Sequence, residues 1–247
     1  MKGIFRAVLL CIGFLLIWQG LVQGFNLPNF LLPSPGVVFK EMWDDQFLLW
    51  RQFWPTALET LIGFSLAILW GVLVALWMRF SRIAQYWFLP ILLISQAIPT
   101  FAIAPFLVIW LGYGMGSKVA VTVFALFFPI TVAFYDGLRR VGVDYLALSK
   151  VMQAKPILRL LFLEIPSALP GLASGIRVAA AWAPMAAVIG EWVGSSRGLG
   201  FLMLNANAQA DTPLMFSALF VLVIFSLFLY YLVDFGLKKW IFWENKS

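Results

Sequence analysis

The sequence predicts an all-α integral membrane protein with six transmembrane helices. Three observations carry that expectation. Of 247 residues, 63% are hydrophobic and only 11% charged, where a water-soluble domain carries about a quarter charged residues. The apolar residues gather into runs near or above the ~20 needed to cross a bilayer as helix. The charges fall between those runs, with the basic ones concentrated in alternate connections. The whole chain, 1–247, reads as a single transmembrane domain.

The first span, about 4–23, opens on a basic head in "MKGIFRAVLLCIGFLLIWQG". A secretory signal also begins this way, but the next residues, Gln19 to Gln23, lack a small-residue cleavage site. The run is therefore expected to remain as a span and serve as its own targeting signal. Segment 24–55 comes next, with Pro28, Pro33 and Pro35 ahead of a Trp- and Phe-rich stretch. Such a stretch suits an interfacial helix, because these rings favour the headgroup boundary.

The remaining spans are expected at about 56–79, 86–111, 118–137, 168–192 and 213–236. Pro90, Pro99 and Pro105 interrupt the third, Pro129 the fourth and Pro184 the fifth. Breaks of this kind are tolerated where neighbouring protein or a wet cavity satisfies the freed backbone.

Orientation is set by Lys and Arg. The N-terminus, 79–85, 138–167 and the C-terminal tail hold twelve: Lys2, Arg6, Arg79, Arg82, Arg139, Arg140, Lys150, Lys155, Arg159, Lys238, Lys239 and Lys246. The opposite connections hold four: Lys40, Arg51, Lys118 and Arg197. The imbalance places both termini and 138–167 in the cytoplasm of a multi-pass plasma-membrane (inner-membrane) protein. The net charge of +6 is thereby accounted for as a topology signal. Scattered cations without a motif argue against nucleic acid as a partner; membrane lipid is the expected surroundings.

Conventional active-site chemistry is not expected. The chain has no histidine and one cysteine, Cys11, so the commonest general base and the soft metal ligands are missing. No catalytic residue, cofactor or metal site is assigned. "GSSRGLG" lacks the Lys-Ser or Lys-Thr of a phosphate loop, and no Walker sequence occurs elsewhere.

The connection 138–167 is too long for a simple linker. Leu146, Val151, Met152, Leu158, Leu161 and Phe162 recur at helical spacing among Asp144, Lys150, Lys155 and Arg159. Pro156 suits a first helical turn, so two short helices meeting near Gln153 to Pro156 are expected. In the fifth span Gly171, Gly175, Ala179, Ala183 and Ala187 recur every fourth residue, a spacing that lets another helix approach closely. Beside Pro184 this helix is a candidate to line a gated pathway. Arg177 and Glu191 are costly inside a span. Arg177 either faces protein or snorkels to the boundary, and Glu191 either faces protein or meets water near the far end. Fourteen residues apart, they cannot pair within one helix.

The run "EIPSALPGLASGIRVAAAWAPMAAVIGEWVGSSRGLGFLMLNANAQADTPLMFSALFVLVIFSLFLYYLVD" resembles the C-terminal half of permease subunits of binding-protein-dependent ABC importers, in the nitrate/sulfonate/taurine and thiamine-precursor branch. Those permeases carry a cytoplasmic consensus of Glu-Ala-Ala, three residues, Gly, nine residues and Ile-x-Leu-Pro. Counting back from Ile165-Pro166 puts Glu-Ala-Ala on Ala147, Leu148 and Ser149, and Gly on Gln153. The frame fits while its Glu and Gly are replaced.

The resemblance implies the type I importer permease fold and a transport subunit that is not itself an enzyme. It implies partners: a cytoplasmic ATP-binding subunit, a periplasmic or lipid-anchored solute-binding protein, and a second permease copy in a homodimer. Asp144, Tyr145, Ala147, Lys150, Gln153, Lys155 and Arg159 would form the ATPase-coupling loop. Gly171, Gly175, Arg177, Ala179, Ala183, Pro184 and Glu191 would line or pack the pathway. The cargo implied is a small polar nutrient, a thiamine precursor such as hydroxymethylpyrimidine first and a sulfonate or taurine next, moved by alternating access. The rival class is a stand-alone secondary transporter or channel, for which Arg177, Glu191 and Glu59 are the candidate relay charges. No inverted repeat is visible to support it.

Overall fold

The computed structural model describes residues 2–241 and 243, and the side chains of 2–4, 6–8 and 11 fall outside that description. The side chains of Lys2, Arg6 and Cys11, and the whole of Lys246, therefore lie outside the described residues. The regular elements among the described residues are all helices: α1 Lys2–Gly24, α2 Pro35–Asp44, α3 Gln46–Phe80, α4 Arg82–Ala97, α5 Thr100–Leu111, α6 Met115–Arg139, α7 Val143–Val151, α8 Pro156–Arg159, α9 Ile165–Gly194, α10 Leu199–Ala208 and α11 Thr212–Trp240. A π-helical turn, Leu160–Glu164, joins α8 to α9. Four helical runs are long and apolar enough to cross a membrane: α3, α6, Pro156–Gly194 and α11. The bent pair α4 and α5 makes a fifth, and α1 adds a 23-residue apolar helix at the start.

The chain divides into two compact units. One comprises residues 1–56 and 196–223. Its core is Trp18, stacked on Phe220 with centroids 5.6 Å apart, together with Val22 and Val38. Pro35 fits the first turn of α2 because it has no N–H to lose there. The hydroxyl of Thr212 donates to the Phe30 carbonyl at 2.6 Å, and that of Ser217 to the Val38 carbonyl at 3.2 Å. In the same unit Gln52 Oε1 accepts from the Gly198 N–H and Thr56 Oγ1 from the Leu199 N–H, both at 2.8 Å. The open N-terminus of α10 is thereby satisfied by side chains of α3.

The other unit comprises 57–195 and 224–247, and its centre is α3, α6 and α9. A β-carbon on Gly63 would fall 2.6 Å from Thr122, and one on Gly71 2.9 Å from Ile130. Rising numbers on one helix meet rising numbers on the other, so α3 and α6 run parallel. Between α6 and α9 the order reverses, with Gly137 against Ala168 and Lys118 against Gly190, and these two are antiparallel.

That arrangement settles how the third apolar run behaves. Parallel α3 and α6 start at the same end, so the chain leaving α3 must cross back before α6 begins. The crossing is made by α4 and α5, bent by 106°, where the sequence predicts one span over 86–111. The cause is Pro99: Ile98, ahead of it, is driven to extended backbone at φ −85°, ψ 118°.

Other expectations need correction too. Pro129 and Pro184 do not interrupt their spans, because α6 and α9 run unbroken through them, held by close neighbouring helix as freed backbone in a membrane requires. The second span is longer than 56–79, since α3 takes up much of the Trp- and Phe-rich stretch and reaches back to Gln46. At 35 residues it measures ~52 Å, beyond a hydrocarbon core of ~30 Å. Segment 138–167 does hold two short helices, α7 and α8, meeting across 152–155, but α8 is also the start of the 39-residue run Pro156–Gly194, because the π turn carries its backbone on into α9.

Candidate functional site

None of the residues of α7 or α8 is buried. Val143 and Val151 are each 81% exposed and Met152 72%; Tyr145 and Leu148 are exposed beside them. Asp144 sits in the first turn of α7 and Lys150 in its last, complementing the helix dipole. Asp144, Ala147, Lys150, Gln153 and Lys155 all face outward.

The end of α7 explains what Gln153 does. Its φ is +49°, in the left-handed region. The Ala154 N–H donates to the Ser149 carbonyl and the Gln153 N–H to the Lys150 carbonyl, both at 3.0 Å. These two bonds make a Schellman cap, in which the left-handed position is usually glycine. Lys155 then precedes Pro156 at the first turn of α8. Behind α7 a cavity of ≈ 450 Å³ is lined by Tyr145, Phe162, Leu163, Pro166, Ser167 and Trp243.

Arg159 is tied down. Its Nε donates to Glu164 Oε1 at 2.9 Å, while Arg79, at the end of α3, donates from Nε to Oε2 at 2.7 Å and from Nη2 to Oε1 at 2.6 Å. Glu164 is 1% exposed.

Along α9, Gly175, Ala179, Ala183, Pro184 and Ala187 are buried, and Gly171 is half-buried. Gly171 lies against the Ala133 carbonyl of α6, and Gly175 against Ala133 and the Pro129 carbonyl. Arg177 does not stand alone. Its Nε donates to Asp234 Oδ1 of α11 at 2.8 Å, and Asp234 Oδ2 accepts from Lys238 at 2.7 Å.

Glu191 is 1% exposed, so it does not simply meet water. It lies beside Glu59 of α3, and Lys118 of α6 is the cation near both. Lys118 reads from the sequence as a connecting-loop charge, yet it is 1% exposed. Its ammonium donates to the carbonyls of Tyr113, Gly114 at 3.1 Å and Gly194 at 2.7 Å. The α5–α6 connection is thus pinned to the end of α9. Among the described residues no cluster of His, Cys, Asp or Glu is placed to hold a metal ion. On α2, burial first, and then the carboxylates of Asp211, Asp45 and Asp44, hold the Glu41 carboxyl above its ordinary range.

The site residues that sequence reasoning missed are Arg79, Lys118 and Glu164 as partners, and Asp234. Asp234 had a usable signal, an acid within an apolar run. The others look like ordinary connection charges.

Residues 67–239 match the family model of the binding-protein-dependent transport system inner membrane component. The chain belongs to that family. The permease is 47% identical over 234 residues to a probable ABC transporter permease protein of Haemophilus influenzae, covering 94% of this chain and 96% of that one. It is 37% identical over 209 residues to the formylaminopyrimidine transport permease protein ThiX of Halalkalibacterium halodurans, covering 84% and 83%. Its fold is that of an inward-facing methionine ABC transporter MetNI chain, with a TM-score of 0.65 at 20% identity over 80% of this chain and 96% of that one. The permease is therefore a multi-pass inner-membrane transport subunit with the type I importer fold.

Proposed function

We propose that this permease works as a pair of copies, with ATP-binding subunits seated on α7 and α8 and a solute-binding protein at the opposite face. The observation that carries the reading is α7 itself: a short capped helix with no buried residue and exposed Val143, Tyr145, Leu148 and Val151. Such an apolar, charge-flanked helix is costly to leave in water and suits a groove on a partner. The basic imbalance of the alternate connections supports a cytoplasmic position for α7 and for both termini.

Movement imposed on α7 would pass along the continuous run Pro156–Gly194 to α6, against which the small residues of α9 pack. Alternating access then amounts to this pair shifting against its counterpart in the second copy. The coupling loop is Asp144, Tyr145, Ala147, Lys150, Gln153, Lys155 and Arg159. The pathway helix is α9, with Gly171, Gly175, Ala179, Ala183 and Pro184 as its packing face, Arg177 paired with Asp234 and Glu191 buried near Lys118. The cargo is a pyrimidine precursor of thiamine, supported by the likeness to a permease named for formylaminopyrimidine. The test is uptake of radiolabelled hydroxymethylpyrimidine by cells with and without the permease. Uptake that needs both the permease and an ATP-binding subunit is expected. Uptake of taurine in its place would reject the cargo, and uptake without any ATP-binding subunit would reject the class.

A further inference from the structure

Glu164 closes the π-helical turn between α8 and α9. A π turn holds one residue more than an α turn. It therefore rotates the downstream helix by about 100° relative to an unbroken one, and that rotation directs Glu164 to the end of α3. There Arg79 meets both carboxylate oxygens, at 2.6 and 2.7 Å. This two-point pairing already satisfies the buried acid. Arg159 adds a third bond, at 2.9 Å, from α8. The two arginine side chains are 30% and 29% exposed, the glutamate 2%. Stabilising the fold requires one arginine; a second, brought from the segment that carries α7, requires another reason.

We infer that Glu164 is a positioning residue that locks the α7–α8 segment to α3, so that displacement of α7 by the ATP-binding subunit moves α3 and α9 as one body. The inference rests on the partner reading above. Without the clamp α8 is joined to the spans through the π turn, which is a local departure from α-helical bonding of the kind frequent at functional sites. Motion of α8 would then be absorbed at 160–164 and reach α3 incompletely.

The test uses the intact permease assembled with its ATP-binding subunits, in a Cys11→Ser background, with spin labels at Phe80→Cys at the end of α3 and Ala154→Cys after α7. Both positions are exposed. Label-to-label distance is measured without nucleotide and in the ATP–vanadate-trapped state. With Glu164 present, one distance common to both states is expected. Glu164→Gln should shift or broaden it between states, and Glu164→Asp should restore it. Arg159→Gln leaves the Arg79 pair and the fold in place and should give the same shift. A distance that changes with Glu164 present, or that stays fixed in both Glu164→Gln and Arg159→Gln, would overturn the inference. Failure of the ATP-binding subunit to copurify with the Glu164 permease would instead overturn the partner reading, and this inference with it.

Discussion

A β-carbon at Gly175 of α9 would lie 2.8 Å from Ala133 Cβ, 2.9 Å from the Pro129 carbonyl oxygen and 3.3 Å from Ile130 Cα, all on α6. Ordinary carbon–carbon contacts are ~3.5–4.0 Å, so Gly175→Ala is short of space by up to about an ångström. Two of these neighbours are helix backbone and cannot rotate aside. The helices must part, losing contacts along the small-residue seam. Overpacking of this kind costs about 1–3 kcal/mol. Alanine also gains about 1 kcal/mol of helix propensity over glycine, which partly conceals the clash. Gly20→Ala in α1 removes that ambiguity, because a β-carbon there meets nothing within 4 Å and only the propensity gain remains. The two substitutions should therefore differ by about 1–3 kcal/mol, or ~2–12 °C in melting temperature at about 2–4 °C per kcal/mol for chains of this size. The assay is thermal unfolding of both variants in the same detergent, followed by tryptophan fluorescence. Equal shifts for Gly175→Ala and Gly20→Ala would refute the close approach of α6 and α9.

Lys118→Met leaves the buried Glu59 and Glu191 without their cation and is expected to cost about 3–5 kcal/mol. Thermal unfolding should show a recovery of part of that loss when Glu59→Gln is added. Gln153→Gly relieves a left-handed non-glycine residue and should stabilise the permease by up to about 1–2 kcal/mol, visible as a raised melting temperature with assembly unchanged. Lys150→Glu reverses the charge in the last turn of α7 and is expected to reduce copurification of the ATP-binding subunit while the permease remains membrane-inserted; undiminished copurification would remove Lys150 from that contact.

The spans were legible because crossing a bilayer demands long apolar runs, and α3, α6, α9 and α11 meet that demand. Pro99 was visible as a break, but the 106° bend depends on how α4 and α5 return the chain between two parallel helices. Periodicity in one segment carries no such information. The same limit hid the charged pairs. Arg79 and Glu164 lie 85 residues apart, and Arg177 and Asp234 57 apart, so only tertiary packing brings them together. Lys118 reads as a loop charge because it lies in the first turn of α6, yet three carbonyls draw it inside. The four-residue recurrence from Gly171 to Ala187 was plain in the sequence, whereas its partner helix was not. At Gln153 the consensus frame pointed to a turn, and the Schellman cap gives the reason glycine is favoured there.

Whether α7 is the seat of an ATP-binding subunit is tested most directly by crosslinking in intact membranes. A photoreactive residue is placed at Leu148 or Val151, both exposed on α7, and the crosslinked product is identified by mass. A product joining the permease to an ATP-binding subunit is expected from both positions. Products joining it only to lipid or to a second permease copy would contradict that seating.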